Sequence, residues 1–395
     1  MSVHAPSLFA GAVWITLLAA VMWRFRDSKL LDEYPSEAPE NPPLVSVVLP
    51  ARNEALNIDA CLRSVLASTW PNLEVVVVDD HSEDGTGAIA RRVAEADARV
   101  RVIEAPDLPE GWFGKQWACH TGARDARGAI LCFIDADTRH GTELLARSVN
   151  ALRARRSDLF TVAGRQEMRT FWEKVVQPVV FAILLLRYGG MERMSRSTRP
   201  RDKIANGQFL MITREAYDRS GGHAAVRDHV AEDLRLAQRF TEEGLAVHMV
   251  LAPEHLSTRM YTSLREIRKG WGKNVFAAGR DTVSSGAVMR LLFPFALPFA
   301  PLVAIVPMIA FLLGWSGLLG PEAIWFAAIT APAHLLFWVG IYAYSRVNPL
   351  WALLHPLGAV VFAWICAESA WRGSQVSWKG RAYISRSAGD HDATQ

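Results

Sequence analysis

Cysteine is scarce. The 395 residues hold four, Cys61, Cys119, Cys132 and Cys366, with no Cys-x-x-Cys spacing and no neighbouring histidine at zinc-ligand spacing. That pattern argues against structural zinc and fits packed thiols in a reducing compartment. No Gly-x-Gly-x-x-Gly follows the first predicted strand, which removes support for a nicotinamide-type Rossmann site. Charge of one sign is missing too, the net being only +3. Lysine and arginine gather at apolar flanks instead of along one face, so no nucleic-acid partner is expected. Nor does a basic residue precede the first apolar run, as a cleavable secretory signal would require.

What the chain has in excess is apolar side chains. Hydrophobic residues make up 50%, with 14 tryptophans, and the excess gathers before residue 24 and after residue 288. A soluble body tethered to a bilayer has that distribution. Residues 8–23 carry no charge and are followed by Arg24, Arg26 and Lys29, so they read as an uncleaved anchor with its C-terminal side in the cytoplasm. At roughly 16 to 20 residues this run just crosses a hydrocarbon core about 30 Å thick. Pro35, Pro39, Pro42 and Pro43 then mark an extended linker.

Three later stretches, 291–313, 324–344 and 350–367, are each long enough to span. Three crossings would put the tail outside, yet Arg372, Lys379, Arg381 and Arg386 favour the inside. Pro294, Pro298, Pro301 and Pro307 mark the first stretch as broken or partly interfacial. The expected organisation is an anchor over 1–30, a linker over 31–43, a catalytic domain over 44–275 and a C-terminal membrane domain with a basic tail over 276–395. The protein is then a multi-pass protein of the cell membrane with a cytoplasmic catalytic domain.

Between the apolar ends, strands and helices alternate. Residues 45–49 and 75–78 read as buried strands, 58–66 as a helix with Ile58, Leu62, Val65 and Leu66 on one face, and 87–96 as another helix. A short strand near 100–103, a loop with Pro106, Pro109, Gly111 and Gly114, and a helix from Gln116 lead to the apolar run 129–134. This rhythm predicts an α/β fold on a mostly parallel, Rossmann-like sheet. More strands are expected at 209–212 and 247–251, on either side of a helix with Glu232 and Asp233. Residues 171–190 are apolar but interrupted by Glu173, Lys174, Gln177 and Pro178, and lead into Arg187, Arg193, Arg196, Arg199, Arg201 and Lys203. They read as a helix in the headgroup region with a loop near anionic lipid, the alternative being a buried helix and a solvated loop.

Carboxylates stand where the predicted strands end. Asp135 and Asp137 follow the 129–134 run, at the kind of strand end where ligands collect in open α/β sheets. Two carboxylates one residue apart can share a divalent cation, Mg2+ or Mn2+, or they can turn the chain and cap the next helix. Asp79 and Asp80 end the second strand, with a helix cap at Asp80 or Ser82 as one reading of them. Residues 111–117 form a Gly-bounded loop with one cation, Lys115, which is either engaged or solvated while Trp112 and Trp117 pack.

Read in order, Val47-Val48-Leu49-Pro50-Ala51-Arg52-Asn53-Glu54, Val77-Val78-Asp79-Asp80-His81-Ser82-Glu83-Asp84-Gly85-Thr86, Phe133-Ile134-Asp135-Ala136-Asp137 and Ala231-Glu232-Asp233 resemble the family 2 inverting glycosyltransferases. The resemblance covers about residues 45–274. It implies a GT-A fold, a nucleotide-sugar donor, a UDP-sugar being favoured, and one divalent metal. It further implies Asp137 as principal metal ligand, Asp135 between metal and sugar, and Lys115 near the donor. Pro50, Arg52, Glu54, Asp79 and Asp80 would meet the base and ribose, where a carboxylate can accept from an N–H or a hydroxyl. Inversion needs a base on the face opposite the leaving group, and Asp233 resembles it, with Glu232 on the phosphate or acceptor side.

Arg265-Glu266-Ile267-Arg268-Lys269-Gly270-Trp271 is similar to the family's Gln-x-x-Arg-Trp signature, but Arg replaces Gln and two residues separate Arg268 from Trp271. On that reading Arg265, Arg268 and Lys269 serve the pyrophosphate and Trp271 lines the acceptor pocket. The alternative is a basic juxtamembrane helix. Residues 111–117 and 265–274, with the membrane segments, are most similar to members that glycosylate carotenoids, hopanoids or ceramides. The expected activity is transfer of a single sugar to a hydroxyl or carboxylate of a lipid acceptor. A processive polysaccharide synthase is the alternative within the family. From another class, Phe133-Ile134-Asp135-Ala136-Asp137-Thr138 also resembles the nucleophile motif of haloacid-dehalogenase-type phosphatases, against which the two preceding strand-helix units argue.

Overall fold

Helix α1 (Ala5–Phe25) leads to β1 (Val45–Ala51), α2 (Ile58–Leu66), β2 (Leu73–Asp79), α3 (Thr86–Ala96), β3 (Val100–Glu104), α4 (Gly114–Asp125) and β4 (Ile130–Ile134). Then come β5 (Thr138–His140), α5 (Leu144–Ala154), β6 (Leu159–Ala163), β7 (Arg165–Gln166), α6 (Phe171–Tyr188), α7 (Met191–Arg196), β8 (Phe209–Thr213) and α8 (Arg214–Ser220). The body closes with α9 (Glu232–Glu242), β9 (Val247–Leu251), β10 (Leu256–Thr258) and α10 (Leu264–Thr282). Beyond it lie α11 (Ala287–Ala296), α12 (Val306–Trp315), α13 (Pro321–Tyr344), α14 (His355–Arg372) and a hairpin of β11 (Gln375–Trp378) and β12 (Arg381–Ile384). The structure, a computed structural model, describes residues 5–282, 287–373, 375–378 and 381–384. Lys379 and Arg386 of the basic tail lie outside the described residues.

The main sheet runs β3-β2-β1-β4-β8-β6-β9 and is parallel except for the two pairs that β8 makes. Period-two alternation divides its side chains between two layers. Val47, Leu49, Val75, Val77, Cys132 and Ile134 pack with Ile58 and Leu62 of α2 and Val149 of α5. Val48, Val76, Val78, Leu131 and Phe133 pack with Ala118 of α4 and Leu236 and Phe240 of α9. Each large side chain so buried stabilises the fold by about 1.5–3 kcal/mol. Because β1 lies between β2 and β4, the C-terminal ends of all three meet at one edge. A smaller sheet, β5-β10-β7, stands apart from the main one.

The proline-rich segment is extended but not loose. Leu31 is fully buried, and Asn150 Nδ2 donates to the carbonyls of Pro35 at 2.8 Å and Glu37 at 2.9 Å. Trp70 Nε1 donates to Pro43 O at 3.2 Å. The linker is strapped to the body because its prolines leave carbonyls that neighbouring side chains can reach.

Among the described residues, four helical segments are long and apolar enough to cross a membrane: Ala5–Trp23, Leu291–Trp315, Pro321–Tyr344 and Pro349–Arg372. The second is broken as its prolines predict, into α11, a 3-10 stretch over Leu297–Ile305, and α12. Helix α13 runs parallel to α1, with Ser7 Oγ donating to Glu322 O at 2.9 Å and a Gly11 Cβ position falling 2.7 Å from Ile329. Helix α14 meets the body at both ends. Val175 O of α6 approaches Gly358 near its start, and Ser369 Oγ near its end donates to Gly272 O of α10 at 2.7 Å. It has the length of a crossing segment and lies along α6 and α10. Helix α6 itself buries Val175, Val176, Val179 and Val180 in that apolar cluster, together with Trp271, Ile341 and Phe362. The helical face expected among lipid headgroups is thus covered by protein. The boundary drawn at residue 275 falls inside α10, which continues to Thr282 without a break.

Candidate active site

The strand ends position the carboxylates. Two loops, after β1 and after β2, are laced together: Asn53 N–H donates to Ser82 Oγ at 3.1 Å, Glu83 N–H to Asn53 Oδ1 at 2.9 Å, and Glu54 N–H to Thr86 Oγ1 at 2.8 Å. Arg52 Nη1 donates to Asp80 O at 2.6 Å. The two aspartates at the end of β2 differ in role. Asp79 Oδ1 accepts from Ser82 N–H at 3.1 Å and its carboxylate lies against Gly87, so it braces the loop from within. The carboxylate of Asp80 is instead paired with arginines, Arg52 at 3.7 Å and Arg381 at 2.8 Å. The N-cap of α3 is Gly85 at φ 92°, and neither Asp80 nor Ser82 takes that place.

Asp135 and Asp137 follow β4. Lys115, at the start of α4, reaches Asp135 Oδ1 and Glu232 Oε1, both at 2.7 Å. It is therefore engaged, while Trp112 and Trp117 pack edge to face at 5.0 Å. Burial works against the ammonium, but the two carboxylates raise the Lys115 pKa well above the usual lysine value. Burial pushes Asp135 up and outweighs Lys115, whereas at Glu232 the lysine outweighs burial and holds the group low. Burial, then Asp135 and Glu54, push Asp137 up to about 7. Its Oδ1 is buried without a hydrogen-bond partner.

Asp233 heads α9, its Oδ2 accepting from Gly207 N–H at 2.8 Å and its Oδ1 from Leu234 N–H at 2.7 Å. Burial and the adjacent Glu232 push its pKa up to about 6. A Cβ on Gly207 would lie 3.1 Å from Asp233 Oδ2 and 3.2 Å from Lys115 Nζ. The bare backbone there lets Lys115 and Asp233 approach one gap, linking the β4 end to α9.

The structure draws Asp135, Asp137, Glu54, Lys115, Glu232 and Asp233 together, and leaves part of the α10 assignment elsewhere. Arg265 and Lys269 are exposed, and Arg268 pairs with Glu368 of α14 at 3.2 Å. Those three are a surface of the helix layer rather than a ring around the carboxylates. Trp271 is buried, edge-on to Phe181 at 5.9 Å and Tyr261 at 6.1 Å, its indole N–H without a partner. Lys273, two residues on, feels Glu232, Lys115, Asp135 and Asp233, and burial lowers its pKa. Sequence reasoning passes over Lys273 although it shares α10 with Trp271, and treats Arg381 only as a tail charge.

Among the described residues no cluster of three or more His, Cys, Asp or Glu side chains has metal-site geometry. A magnesium-type ion needs no such cage, since one or two carboxylates plus substrate phosphates suffice. The unpartnered Asp137 oxygen beside Asp135 fits that limited donor set.

A largely parallel α/β sheet with acidic motifs at successive strand ends and an acid pair heading a later helix has the architecture of the GT-A fold. The family model "Glycosyl transferase family 2" matches residues 46–221, which contain the three strand-end motifs, so this part of the chain carries a glycosyltransferase domain of that type. The chain is 26% identical over 355 residues to the 4,4'-diaponeurosporenoate glycosyltransferase of Staphylococcus aureus strain MRSA252, covering 86% of this chain and 88% of that one. The counterpart from strain USA300 is 25% identical over 351 residues, with the same coverage. Among solved structures, a mannosyltransferase from Pyrobaculum calidifontis in complex with GDP-Man and Mn2+ superposes with a TM-score of 0.53. It is 20% identical and the match covers 93% of this chain and 95% of that one, a likeness of fold.

Proposed function

We propose that the protein is a membrane-attached inverting glycosyltransferase that moves one sugar from a nucleotide diphosphate sugar to a hydroxyl or carboxylate of a lipid acceptor. The observation that carries this reading is Lys115 bridging Asp135 and Glu232 at 2.7 Å each, with Asp233 across the same Gly207 gap. Donor-side and acceptor-side groups thus face one small volume. The raised pKa of Asp233, about 6, suits a group that must hold a proton only transiently near neutral pH. With a hydroxyl acceptor Asp233 takes its proton as the new glycosidic bond forms, whereas a carboxylate acceptor attacks already ionised; Lys115 stands beside the oxygens that gain charge as the nucleotide leaves. At ~4 Å and an effective dielectric near 20, one such charge contact is worth on the order of 4 kcal/mol before desolvation. Asp137, with Asp135, would hold a divalent ion, Mg2+ or Mn2+, which supplies further positive charge to the diphosphate.

The lipid acceptor is supported by the diaponeurosporenoate relative and by the four apolar helices. Trp271, between Phe181 and Tyr261, lines the acceptor side. The body sits at the cytoplasmic face, as Arg26 and Lys29 after α1 favour. With α14 lying along the body, only two C-terminal passes separate body from tail, and the tail's basic residues stay inside. The test is a screen of radiolabelled UDP- and GDP-sugars against membrane lipid extract, with mass and anomeric analysis of the product. A single β-linked sugar from an α-linked donor on a lipid is the expected product. A polymer, or retained anomeric configuration, would overturn the proposal.

A further inference from the structure

Asp80 carries a partner that lies 301 residues away. Arg381 of β12 donates to it twice, from Nη1 to Oδ2 at 2.8 Å and from Nη2 to Oδ1 at 3.2 Å. Tyr383, on the same face of the strand, stacks on Phe113 with ring centroids 4.2 Å apart and planes inclined by 15°. Its hydroxyl accepts from Gly114 N–H at 3.3 Å. Gly114 has no room for a side chain: a Cβ would fall 2.6 Å from Arg381 Nη1 and 2.7 Å from Asp80 Oδ2. The hairpin therefore closes over the first turn of α4, one residue from Lys115.

We infer that the C-terminal hairpin is a wall of the donor's nucleoside subsite and that Arg381 is a donor-binding residue. The inference rests on the reading of Asp80 as a nucleoside contact. An ionised carboxylate offers only acceptors and a guanidinium only donors. Held side by side in a bidentate pair, Asp80 and Arg381 offer both, and every nucleobase carries a donor next to an acceptor on its hydrogen-bonding edge. The guanidinium has five N–H groups, so two bonds to Asp80 leave others for a base carbonyl or a phosphate oxygen. The pair also removes an electrostatic fault. Asp80 adds negative charge to an edge that already holds Asp135 and Asp137, where a diphosphate must dock; Arg381 at 2.8 Å, with Arg52 at 3.7 Å, offsets it. The Tyr383–Phe113 stack is a second attachment of the hairpin, and because Arg381 also hydrogen-bonds Tyr383, the melting of Arg381→Ala is read beside its nucleotide binding.

The experiment is calorimetric titration of the full-length protein in nanodiscs with UDP and with GDP, each with Mn2+, for wild type, Arg381→Ala, Arg381→Lys and Tyr383→Ala. Arg381→Ala is expected to weaken the preferred nucleotide about 10- to 100-fold, the worth of hydrogen bonds to a charged group. Arg381→Lys keeps the charge but not the fork and should fall between. In turnover, Arg381→Ala should raise the donor KM and leave the acceptor KM unchanged, and in wild type nucleotide should slow amide exchange across residues 381–384. Equal nucleotide binding by wild type and Arg381→Ala, with both melting alike, overturns the inference and leaves the donor-site reading standing. Tighter binding by Arg381→Ala also overturns it and marks the hairpin as a plug. Wild type that binds neither nucleotide overturns the donor-site reading itself.

Discussion

Charge is used differently at the strand-end edge and in the layer formed by α6, α10 and α14. At the edge, Lys115 is enclosed between two carboxylates at 2.7 Å, its side chain 24% exposed. In the helix layer, Arg268 is 44% exposed and reaches Glu368 at 3.2 Å, while the layer is held by Val175, Val179, Trp271, Phe362 and Ile365. Opposite charges therefore set the geometry at the edge, because burial makes an unpaired ion costly. In the helix layer they decorate a contact that apolar surface already determines.

The sharpest way to break this contrast is to remove the proposed base. Asp233→Asn should lower the transfer rate about 10²- to 10⁴-fold, the usual contribution of general base catalysis, with a near-unchanged melting temperature. Lys115→Met should both abolish measurable transfer and destabilise the fold, by less than the roughly 3–5 kcal/mol of a fully buried pair, since Glu232 is buried but Asp135 is partly exposed and Lys273 lies near both. Denaturant unfolding reads that loss, and a wild-type midpoint would show that charge does not set the edge. Gly207→Ala should lower kcat roughly tenfold by pressing Asp233 and Lys115 apart, about 1.4 kcal/mol of barrier, with little change in stability.

The pH profile sharpens the same point. If Asp233 is the base, as proposed, it acts when unprotonated, so kcat/KM should fall as pH drops through about 6. Glu232 raises the Asp233 pKa, so Glu232→Gln should move this acid limb to lower pH. An unmoved limb would assign it to another group. Least affected should be Arg268→Ala: a half-exposed pair contributes about 0–1 kcal/mol, and donor KM should not change. A large rise in donor KM would return Arg268 to the pyrophosphate.

The same contrast separates what is legible in the sequence from what is not. The order of strands and helices from β1 to β4, and the carboxylates at their ends, can be read from apolar runs a few residues long. So can Asp233, through its place after the three strand-end motifs. The division of labour between Asp79 and Asp80 cannot, because it depends on Ser82 and Gly87 facing one carboxylate and Arg381 the other. Helix α14 has the composition of a crossing segment, yet its path depends on Gly358 and Ser369 fitting α6 and α10. Lys273 and Arg381 belong to a helix and a strand whose approach to the site no short-range pattern encodes.

Helix α10 limits how this enzyme can be dissected. A cut at residue 275, the boundary expected for the catalytic domain, would divide one continuous helix and strip the apolar faces of α6 and α10 of their cover. It would also take away Arg381 and leave Asp80 with Arg52 alone, at 3.7 Å. A fragment of that length would expose apolar surface and lack the Arg381–Asp80 pair, and its inactivity would say nothing about the chemistry. A faithful unit for biochemistry keeps α14 and the hairpin together with the body.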